Sequence, residues 1–529
     1  MPQSLSETNS YDQSPYESYP FFYTRPEHLR AVGIIFGMTP PALATARVLE
    51  LGSAAGGSLL GFAALYPQSF SLGIDLSGVQ IEQGQAQVAA LGLQNLQLKA
   101  MSIMDIDDAF GHFDYIICHG VFSWVPAEVR DKIMAIAKNN LSQNGIAFIS
   151  YNTLPGWNNM ATVRELMQFH AAGFASIGDK VEQAKLCLNF VRDALADYDD
   201  PYSRFMQQEA ANLQSKPESY LLHEYLHGEN KPFYFHEFMQ QAKARGLGYL
   251  GDTHLHSMYT GNLPAETNAR LLEIGDIVRI EQYMDFIQNR RFRCSLLCHE
   301  HIPLNRTVTP SVMDKLYLNL PLTTPVRPEQ IDLHDDSSMV PFQVTGVSGA
   351  SINAGNALMK AVMFAFVGQA GREIAVDSLL QSVQSSLPGL APAQLQHEVT
   401  SLLLTLLFKG ILRVSAAPVP AVNTISATPC VSSLVRLQVQ NPQARWVTTL
   451  ANEALAIEPF ERLALRYLDG QHSRSQIVAL LAGEPVRSGE LELKLDGVAL
   501  SDPAIIEKIM AELLDAMLEK IRTRFVLIA

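Results

Sequence analysis

The chain has 529 residues, which corresponds to roughly three or four domains. Hydrophobic residues make up 47% of it and charged residues 17%, a composition that supports a sizeable core and excludes wholesale disorder. With 39 basic and 53 acidic residues, the net charge is -14, so we expect no nucleic-acid partner.

Cysteine usage and hydropathy indicate the compartment. Five cysteines in so long a chain do not make a disulfide framework, and the first ten residues lack the basic and apolar parts of a secretory signal. The longest apolar stretch, near residues 357–367, is interrupted by Lys360 and is too short to cross a bilayer. We therefore expect a cytoplasmic protein with no membrane insertion.

The front of the chain alternates short apolar runs with helical patterns. The predicted strands are residues 47–51, 71–76, 96–103, 113–118 and 146–151. Strands and helices that alternate at this spacing are typical of an α/β fold with a doubly wound, mainly parallel sheet. The sequence thus predicts a Rossmann-like sheet.

The remaining segments predict an insertion and smaller rear modules. Residues 160–222 have a helical pattern, which we interpret as an insertion before the last part of the sheet. A helix at 235–246 and strands at 247–252 and 293–298 would complete a front domain of residues 1–305. The rear is predicted as a linker at 306–350, a winged-helix-like module at 351–415 and a small helical domain at 431–529.

A glycine-rich turn (GSAAGG, 52–57) follows the first predicted strand. Small residues where a strand turns into a helix let the backbone approach a ligand. Asp75 ends the second strand, where a carboxylate can accept hydrogen bonds from ribose hydroxyls. The loop fits either a dinucleotide fingerprint, Gly52-x-Ala54-x-x-Gly57, or an S-adenosylmethionine site, and the glycines alone do not decide between them.

Later segments favour S-adenosylmethionine. Residues 113–120 (FDYIICHG) and 141–148 (LSQNGIAF) resemble the later blocks of class I methyltransferases. HGVFSWVP (119–126) and SYNTLPGW (150–157) resemble, more narrowly, a bacterial family in which a methyltransferase domain precedes a methyltransferase regulatory domain. That family includes the rickettsial protein-lysine methyltransferases, which modify outer-membrane proteins. Similar segments extend over most of the chain, among them 220–226 and 282–293.

The resemblance implies which residues bind S-adenosylmethionine. The positions assigned to the methionine end are Glu50, Gly52, Ser53, Ala54 and Gly56. Asp75 would hold the ribose beside Leu76, and Ser102 with Ile103 would flank the adenine. Asp105 is the nearest acid to that position.

A second group of residues would lie where the cofactor meets the methyl acceptor. The resemblance places His119, Gly120 and Phe122 there, after the fourth strand, and Tyr16 in an N-terminal flap. Trp124, Tyr151, Asn152 and Trp157 would form the substrate channel, because they follow strands four and five at the edge where such sheets bind ligands. Their aromatic faces either steer a cationic acceptor or simply cap the sheet.

The identity of the acceptor rests on the resemblance alone. It implies a lysine side chain of a protein substrate, with which the acidic charge of this chain is compatible. A small-molecule methyltransferase and a cofactor-sensing adaptor with little turnover are alternatives, and a homodimer is left open.

Two segments resemble metal sites, yet we expect no metal. His223-Glu-Tyr-Leu-His227 matches the zinc-peptidase pattern, but Gly228 follows at once and the extended form of that pattern is absent. Cys294 and Cys298 have an unusual ligand spacing and would point to one buried face of a strand. The basic run 289–293 (NRRFR) is predicted as a solvated edge.

Overall fold

The computed structural model describes residues 12, 17–345, 349–369, 371–422, 424–492, 494–495, 498–500 and 502–528. Within them, seven strands form one sheet in the order β3-β2-β1-β4-β5-β7-β6. In chain order these strands, β1 to β7, are Arg47–Leu51, Phe70–Asp75, Leu96–Ala100, Phe113–Cys118, Leu141–Asn152, Leu247–Asp252 and Phe292–His299. β7 runs antiparallel to β5 and β6, whereas β1 to β5 pair in parallel. The predicted Rossmann-like sheet is confirmed, with one reversed strand.

The helices of the front half fall into three groups along the chain. The first four, α1 to α4, are Pro26–Ile35, Gly57–Leu65, Gly78–Leu91 and Ala127–Asn139. Four more, α5 to α8, lie between β5 and β6: Trp157–Ala171, Ile177–Ala194, Pro201–Gln214 and Glu218–Leu221. The last three, α9 to α11, are Phe235–Ala244, Ala265–Glu273 and Ile277–Gln288. The helical insertion expected before the end of the sheet therefore stands between β5 and β6.

Alternate side chains of each strand pack into two separate hydrophobic cores, one on each face of the sheet. Val48, Ile117 and Phe148 pack on the face that α1 to α3 cover. Their neighbours Leu49 and Ile116 point to the opposite face, which α4 and α9 cover. Because successive side chains of a strand point to opposite faces, a residue's position along its strand decides which core it joins.

The helical insertion has an apolar core of its own. Met167 of α5, Leu188 of α6 and Met206 of α7 are buried together. Asp200 begins α7 by accepting hydrogen bonds from the backbone N–H groups of Tyr202 and Ser203. The insertion therefore packs as a helical unit beside the sheet.

The segment 306–350, which we expected to be a linker or connection, contains regular structure. It holds three strands, β8 to β10, at Tyr317–Asn319, Leu322–Thr323 and Val340–Val344. Leu318 and Phe342 have no exposed surface and belong to the core that also covers one face of the sheet. The segment is rich in proline, threonine and serine, and this composition conceals short strands that are anchored by a few buried apolar side chains.

Two modules follow in the rear of the chain. The first comprises β11 Ser351–Ala354, α12 Ala357–Gly368, β12 Ile374–Ala375, α13 Val376–Ser386, α14 Pro392–Phe408 and β13 Arg413–Ser415. Its strands β12 and β13 both pair with β8, so the module begins well before residue 351. The second comprises α15 Ser433–Gln438, β14 Trp446–Thr448, β15 Ala454–Ala456, α16 Pro459–Leu465, α17 Arg474–Ala482, α18 Glu484–Arg487, β16 Lys494–Leu495, β17 Val498–Ala499 and α19 Pro503–Arg522. In the described part of the chain, no helix combines the length and apolar character that crossing a membrane requires.

The run 289–293, predicted as a solvated edge, ends in a buried ionic cluster. Arg293 on β7 has no exposed side-chain surface and donates to Asp285 at 2.9 Å and to Glu281 at 2.8 Å. Its guanidinium lies 3.9 Å from the ring centre of Phe235. A buried guanidinium is tolerated here because carboxylates of α11 neutralise it and accept its hydrogen bonds. The cluster fixes α11 to the outer strands of the sheet.

Replacing the central cation of this cluster should destabilise the protein. We expect Arg293→Met to lower the free energy of unfolding by about 3–5 kcal/mol, because Glu281 and Asp285 lose the buried guanidinium that donates to both, and Arg290 is left as their neighbouring cation. Arg270→Met is the matched control, since Arg270 pairs with Glu266 on the exposed surface of α10 and should change stability by less than about 0.5 kcal/mol. Urea unfolding followed by circular dichroism measures both. Equal stability of the two variants would contradict a structural role for the cluster.

Candidate functional site

The candidate site lies at the carboxyl ends of β1, β2, β4 and β5. Glu50, His119 and Ser150 follow Val48, Ile117 and Phe148 by two residues each, so they share the sheet face that α1 covers. Asn152 continues this row on β5 and is paired with Phe292 at the start of the reversed strand β7. The edge therefore carries one row of polar and aromatic side chains, which starts at Asp75 on β2.

The glycine loop has the backbone geometry that the sequence predicts for a ligand-binding turn. Gly52 and Gly56 both have a φ of 77°, and Ala54 has a φ of 48°. A side chain on Gly52 would place its Cβ 2.4 Å from Cγ2 of Val121, so this position requires glycine both for conformation and for space. The backbone N–H groups of Gly52 and Ser53 donate to the carbonyl of Ile74, which seats the loop on the end of β2.

Asp75 is held rigidly at the end of β2. Its Oδ2 accepts from the backbone N–H of Ala54 at 2.8 Å, and its Oδ1 accepts from the backbone N–H of Ser77 at 2.9 Å. Burial raises the pKa of Asp75, and these hydrogen bonds act in the opposite direction. Each oxygen keeps a second lone pair, so the carboxylate can also accept from a diol.

Glu50 is a buried acid with an unused acceptor. Its exposure is 5%, and its Oε2 has no hydrogen-bond partner; the buried hydroxyl of Ser53 is also unpartnered. Burial, together with the charge of Asp75, raises the pKa of Glu50 to about 8. Unpaired buried acceptors are costly unless a ligand uses them. These groups fit the positively charged amino group of S-adenosylmethionine, and the remaining lone pairs of Asp75 suit the ribose diol expected beside it.

The residues expected beside the adenine lie at the end of β3. Ile103 is half-buried in the short turn that follows β3. Leu76, which follows Asp75 at the end of the neighbouring β2, is 40% exposed. Asp105 accepts from the backbone N–H of Ser102, and the Ser102 hydroxyl accepts from the backbone N–H of Met104. Ser102 and Asp105 thus brace the turn, and the exposed apolar side chains supply the surface on which a base can lie.

His119 is fixed from two sides. Its Nδ1 hydrogen-bonds with the Ser150 hydroxyl at 2.9 Å, and its Nε2 with the Tyr23 hydroxyl at 3.3 Å. Phe21 contacts the imidazole edge-on, with ring centres 4.5 Å apart. Burial of the ring lowers the pKa of His119 to about 4, and the charge of His254 acts in the same direction. The ring is therefore neutral at physiological pH.

The remaining residues expected beside the cofactor are Gly120, Phe122 and Tyr16, and they have three different outcomes. Phe122 has no exposed surface and packs in the opposite core, below the edge, so it is not in position to contact the cofactor. Gly120 is exposed, and its backbone N–H donates to the Ser150 hydroxyl at 2.8 Å. Tyr16 lies outside the described residues.

The four expected channel residues separate into three environments. Tyr151 is a core residue, stacked on Phe238 with ring centres 4.1 Å apart, because its position on β5 points it away from the site. Asn152, one residue on, points to the site face; it is buried, and its Nδ2 has no partner. Trp124 and Trp157 contact each other, with ring centres 6.3 Å apart, next to the helical insertion.

The histidine pattern at 223–227 lies at the end of the helical insertion. Residues Leu222–Leu226 form a π-helical turn, and His223 is buried in it. Arg164 of α5 donates to the carbonyl oxygens of Glu224 and His227, which closes the end of this turn. The described residues hold no group of three or more potential metal ligands.

Two contributors to the site were missed from the sequence. Ser150, which orients His119, lies within the motif SYNTLPGW, in which we predicted a role for Tyr151, Asn152 and Trp157 but not for the serine. Phe292 lies 6.2 Å from the ring centre of His119 and was treated as part of a charged edge. The pairing of β7 with β5 brings it to the site, and no local pattern reveals that pairing.

Comparisons with known proteins agree with this geometry. A methyltransferase domain model matches residues 49–147, a predicted methyltransferase regulatory domain matches 217–299, and the winged helix domain found at the C-terminus of PKMT proteins matches 428–526. The solved structure of PKMT2 from Rickettsia typhi is 36% identical, with a TM-score of 0.90, and the match covers 97% of this chain and all of that one. The same protein in complex with AdoHcy gives 37% identity and a TM-score of 0.91.

A curated relative extends the same similarity. The uncharacterized protein RP789 of Rickettsia prowazekii is 37% identical over 517 residues, which cover 98% of this chain and 93% of the relative. The winged-helix match also refines the prediction for the C-terminal module, which we expected to be a small helical domain of mainly α character. The strands β14 to β17 have only two or three residues each, which is too short for a recognisable alternation of apolar and polar residues.

Removing the Asp75 carboxylate should abolish most of the cofactor affinity. We expect Asp75→Ala to weaken S-adenosylhomocysteine binding by about tenfold to a hundredfold, the value of hydrogen bonds to a charged group. Glu82→Ala, an exposed acid on α3, is the matched control and should bind as the wild type does. Isothermal titration calorimetry measures both affinities. Unchanged binding in Asp75→Ala would remove the ribose assignment.

Proposed function

The chain belongs to the family of the rickettsial PKMT proteins, S-adenosylmethionine-dependent methyltransferases, and from that membership we propose that it methylates lysine side chains of a protein substrate. The observation that carries the proposal is the match to PKMT2 along nearly the whole chain, including the regulatory and winged-helix parts. The row of buried, unsatisfied groups at the sheet edge supports it, because Glu50, Ser53 and Asn152 each leave a buried polar atom for a bound ligand.

The chemistry requires alignment more than activation. S-adenosylmethionine supplies a methyl group that is already activated by its sulfonium, so the protein has to hold the reactants in line and exclude water. Glu50, Ser53 and Asp75 hold the cofactor, and His119 forms the wall beside it. A neutral imidazole suits this position, because an imidazolium would repel both a sulfonium and a lysine ammonium.

The acceptor nitrogen has to be neutral before it can attack. An apolar environment lowers the pKa of a lysine side chain, and Phe21, Tyr23 and Phe292 provide such surroundings at His119. We assign Asn152 to the acceptor side, where its amide carbonyl can accept an N–H of the neutral amine and leave the nitrogen lone pair for attack. Trp124 and Trp157 would border the approach from the helical insertion.

A transfer assay tests the acceptor and the role of Asn152 together. With labelled S-adenosylmethionine and a fractionated bacterial proteome, we expect label in methylated lysines after acid hydrolysis. Asn152→Ala should lower kcat/KM for the protein acceptor by about tenfold, through loss of one to two hydrogen bonds in a buried site. Its affinity for S-adenosylhomocysteine should stay within about twofold of the wild type. Asn158→Ala, exposed on α5, is the control.

Each contrary outcome of this assay has a distinct meaning. Label that appears only in small molecules would identify a small-molecule methyltransferase. Cofactor binding without release of S-adenosylhomocysteine on any substrate would favour a sensing adaptor. If Asn152→Ala weakened cofactor binding instead, its unpartnered Nδ2 would belong to the cofactor site.

The raised pKa of Glu50 makes cofactor binding dependent on pH. Below about pH 8 the free acid is largely protonated, and the positive amino group of the cofactor favours the ionised form. Binding should therefore release a proton, and affinity for S-adenosylhomocysteine should rise by up to about tenfold per pH unit toward pH 8 and then level off. Calorimetry in two buffers with different ionisation enthalpies counts the proton, and Glu50→Gln should show no release. Constant affinity across this range would contradict the assignment.

A further inference from the structure

A segment near the N-terminus crosses the site edge. We call residues 17–25 the N-terminal strap. The hydroxyl of Ser18 accepts from the backbone N–H of Gly57, the first residue of α2, at 2.9 Å. A Cβ on Gly57 would lie 2.0 Å from the carbonyl oxygen of Ser18, so the strap and the glycine loop are in direct backbone contact. Further along, Phe21 and Tyr23 contact His119. The strap therefore joins the glycine loop to the end of β4.

The outer side of the strap is held by the C-terminal module. Tyr19 packs on Trp446 of β14, with ring centres 4.9 Å apart. Asn452, in the turn between β14 and β15, donates from Nδ2 to the carbonyl of Phe21 at 3.2 Å. The same turn lies against α2, where a Cβ on Gly61 would be 3.3 Å from Oδ1 of Asn452. One hairpin thus touches both the strap and the helix that begins at the glycine loop.

The turn has a conformation suited to this contact. Asn452 has a φ of 56°, a left-handed conformation in which asparagine is tolerated better than most residues. The residue is buried, although it stands in a turn. The hairpin therefore presents Asn452 to the strap in a fixed orientation.

We propose that Trp446 and Asn452 are positioning residues for the cofactor site, which hold the N-terminal strap against the glycine loop and His119. The C-terminal winged-helix module then sets how tightly the cofactor is retained, although it supplies no group of the sheet edge itself. Because the β14–β15 hairpin contacts the strap, this side of the hairpin cannot also bind a nucleic acid. The proposal rests on the cofactor site and is independent of the methyl acceptor.

Two variants of the full-length protein test the proposal. Trp446→Ala removes the ring under Tyr19, and Asn452→Gly removes the side chain while keeping the left-handed turn accessible. We expect each to weaken S-adenosylhomocysteine binding by about fivefold to tenfold, with the larger part in a faster dissociation rate. KM for S-adenosylmethionine should rise in step with the weaker binding. Tyr467→Ala, a half-buried aromatic of the same module, is the matched control.

A double variant separates positioning from general destabilisation. If Trp446 acts through Tyr19, the pair Tyr19→Ala and Trp446→Ala should weaken binding no more than Trp446→Ala alone. Binding within twofold of the wild type in both Trp446→Ala and Asn452→Gly would overturn the proposal. So would an equal loss of affinity in Tyr467→Ala, because it would show that any loosening of the module has the same effect. Binding is measured without an acceptor, so failure to find lysine methylation would leave the result intact.

Discussion

The burial of Glu50 next to Asp75 is the constraint on which the site depends. The neighbouring carboxylate of Asp75 adds to the cost of ionising Glu50, and in the described part of the chain Asp75 itself accepts from the uncharged backbone N–H groups of Ala54 and Ser77. The glycine loop meets part of that cost with backbone N–H groups, and the rest is left for a ligand that carries a positive charge and a diol. The left-handed glycines, the strap on Gly57 and the neutral ring of His119 all serve this arrangement, because each brings neutral or donor groups to an acidic edge.

Much of the fold could be predicted because its strands are short apolar runs with clear boundaries. β1, β4 and β6 begin and end at the predicted residues, since a glycine or a polar residue follows each of them: Gly52, His119 and Thr253. The strands of 306–350 and of the C-terminal module escaped prediction because they have only two to five residues each. β8 also depends on remote pairing, since its partners β12 and β13 lie far along the chain. The local signal is weak where pairing is remote.

The sequence predicted the backbone turns of the candidate site better than the direction in which its side chains point. The glycine loop and Asp75 follow from spacing alone, because their roles depend on backbone turns. Tyr151 and Asn152 are adjacent in one motif, yet only Asn152 points to the site, and the sequence does not say which face the cofactor uses. The same ambiguity affects Phe122. The strap contacts with Trp446 and Asn452 join residues more than 400 positions apart, beyond any pattern in a single chain.

The reversal of β7 has a consequence for how the chain tolerates change in length. Its first residue, and not its last, borders the reactive edge, so the connection from α11 into β7 fixes where Phe292 stands. If one residue were inserted in that connection and the pairing of β7 shifted by one position, each side chain of β7 would move to the other face of the sheet. Phe292 would then leave the site, and the charged Arg293 would take its place. One residue inserted after His299 would alter only the far end of the sheet. Length variation among relatives should therefore accumulate beyond β7 and be rare before it.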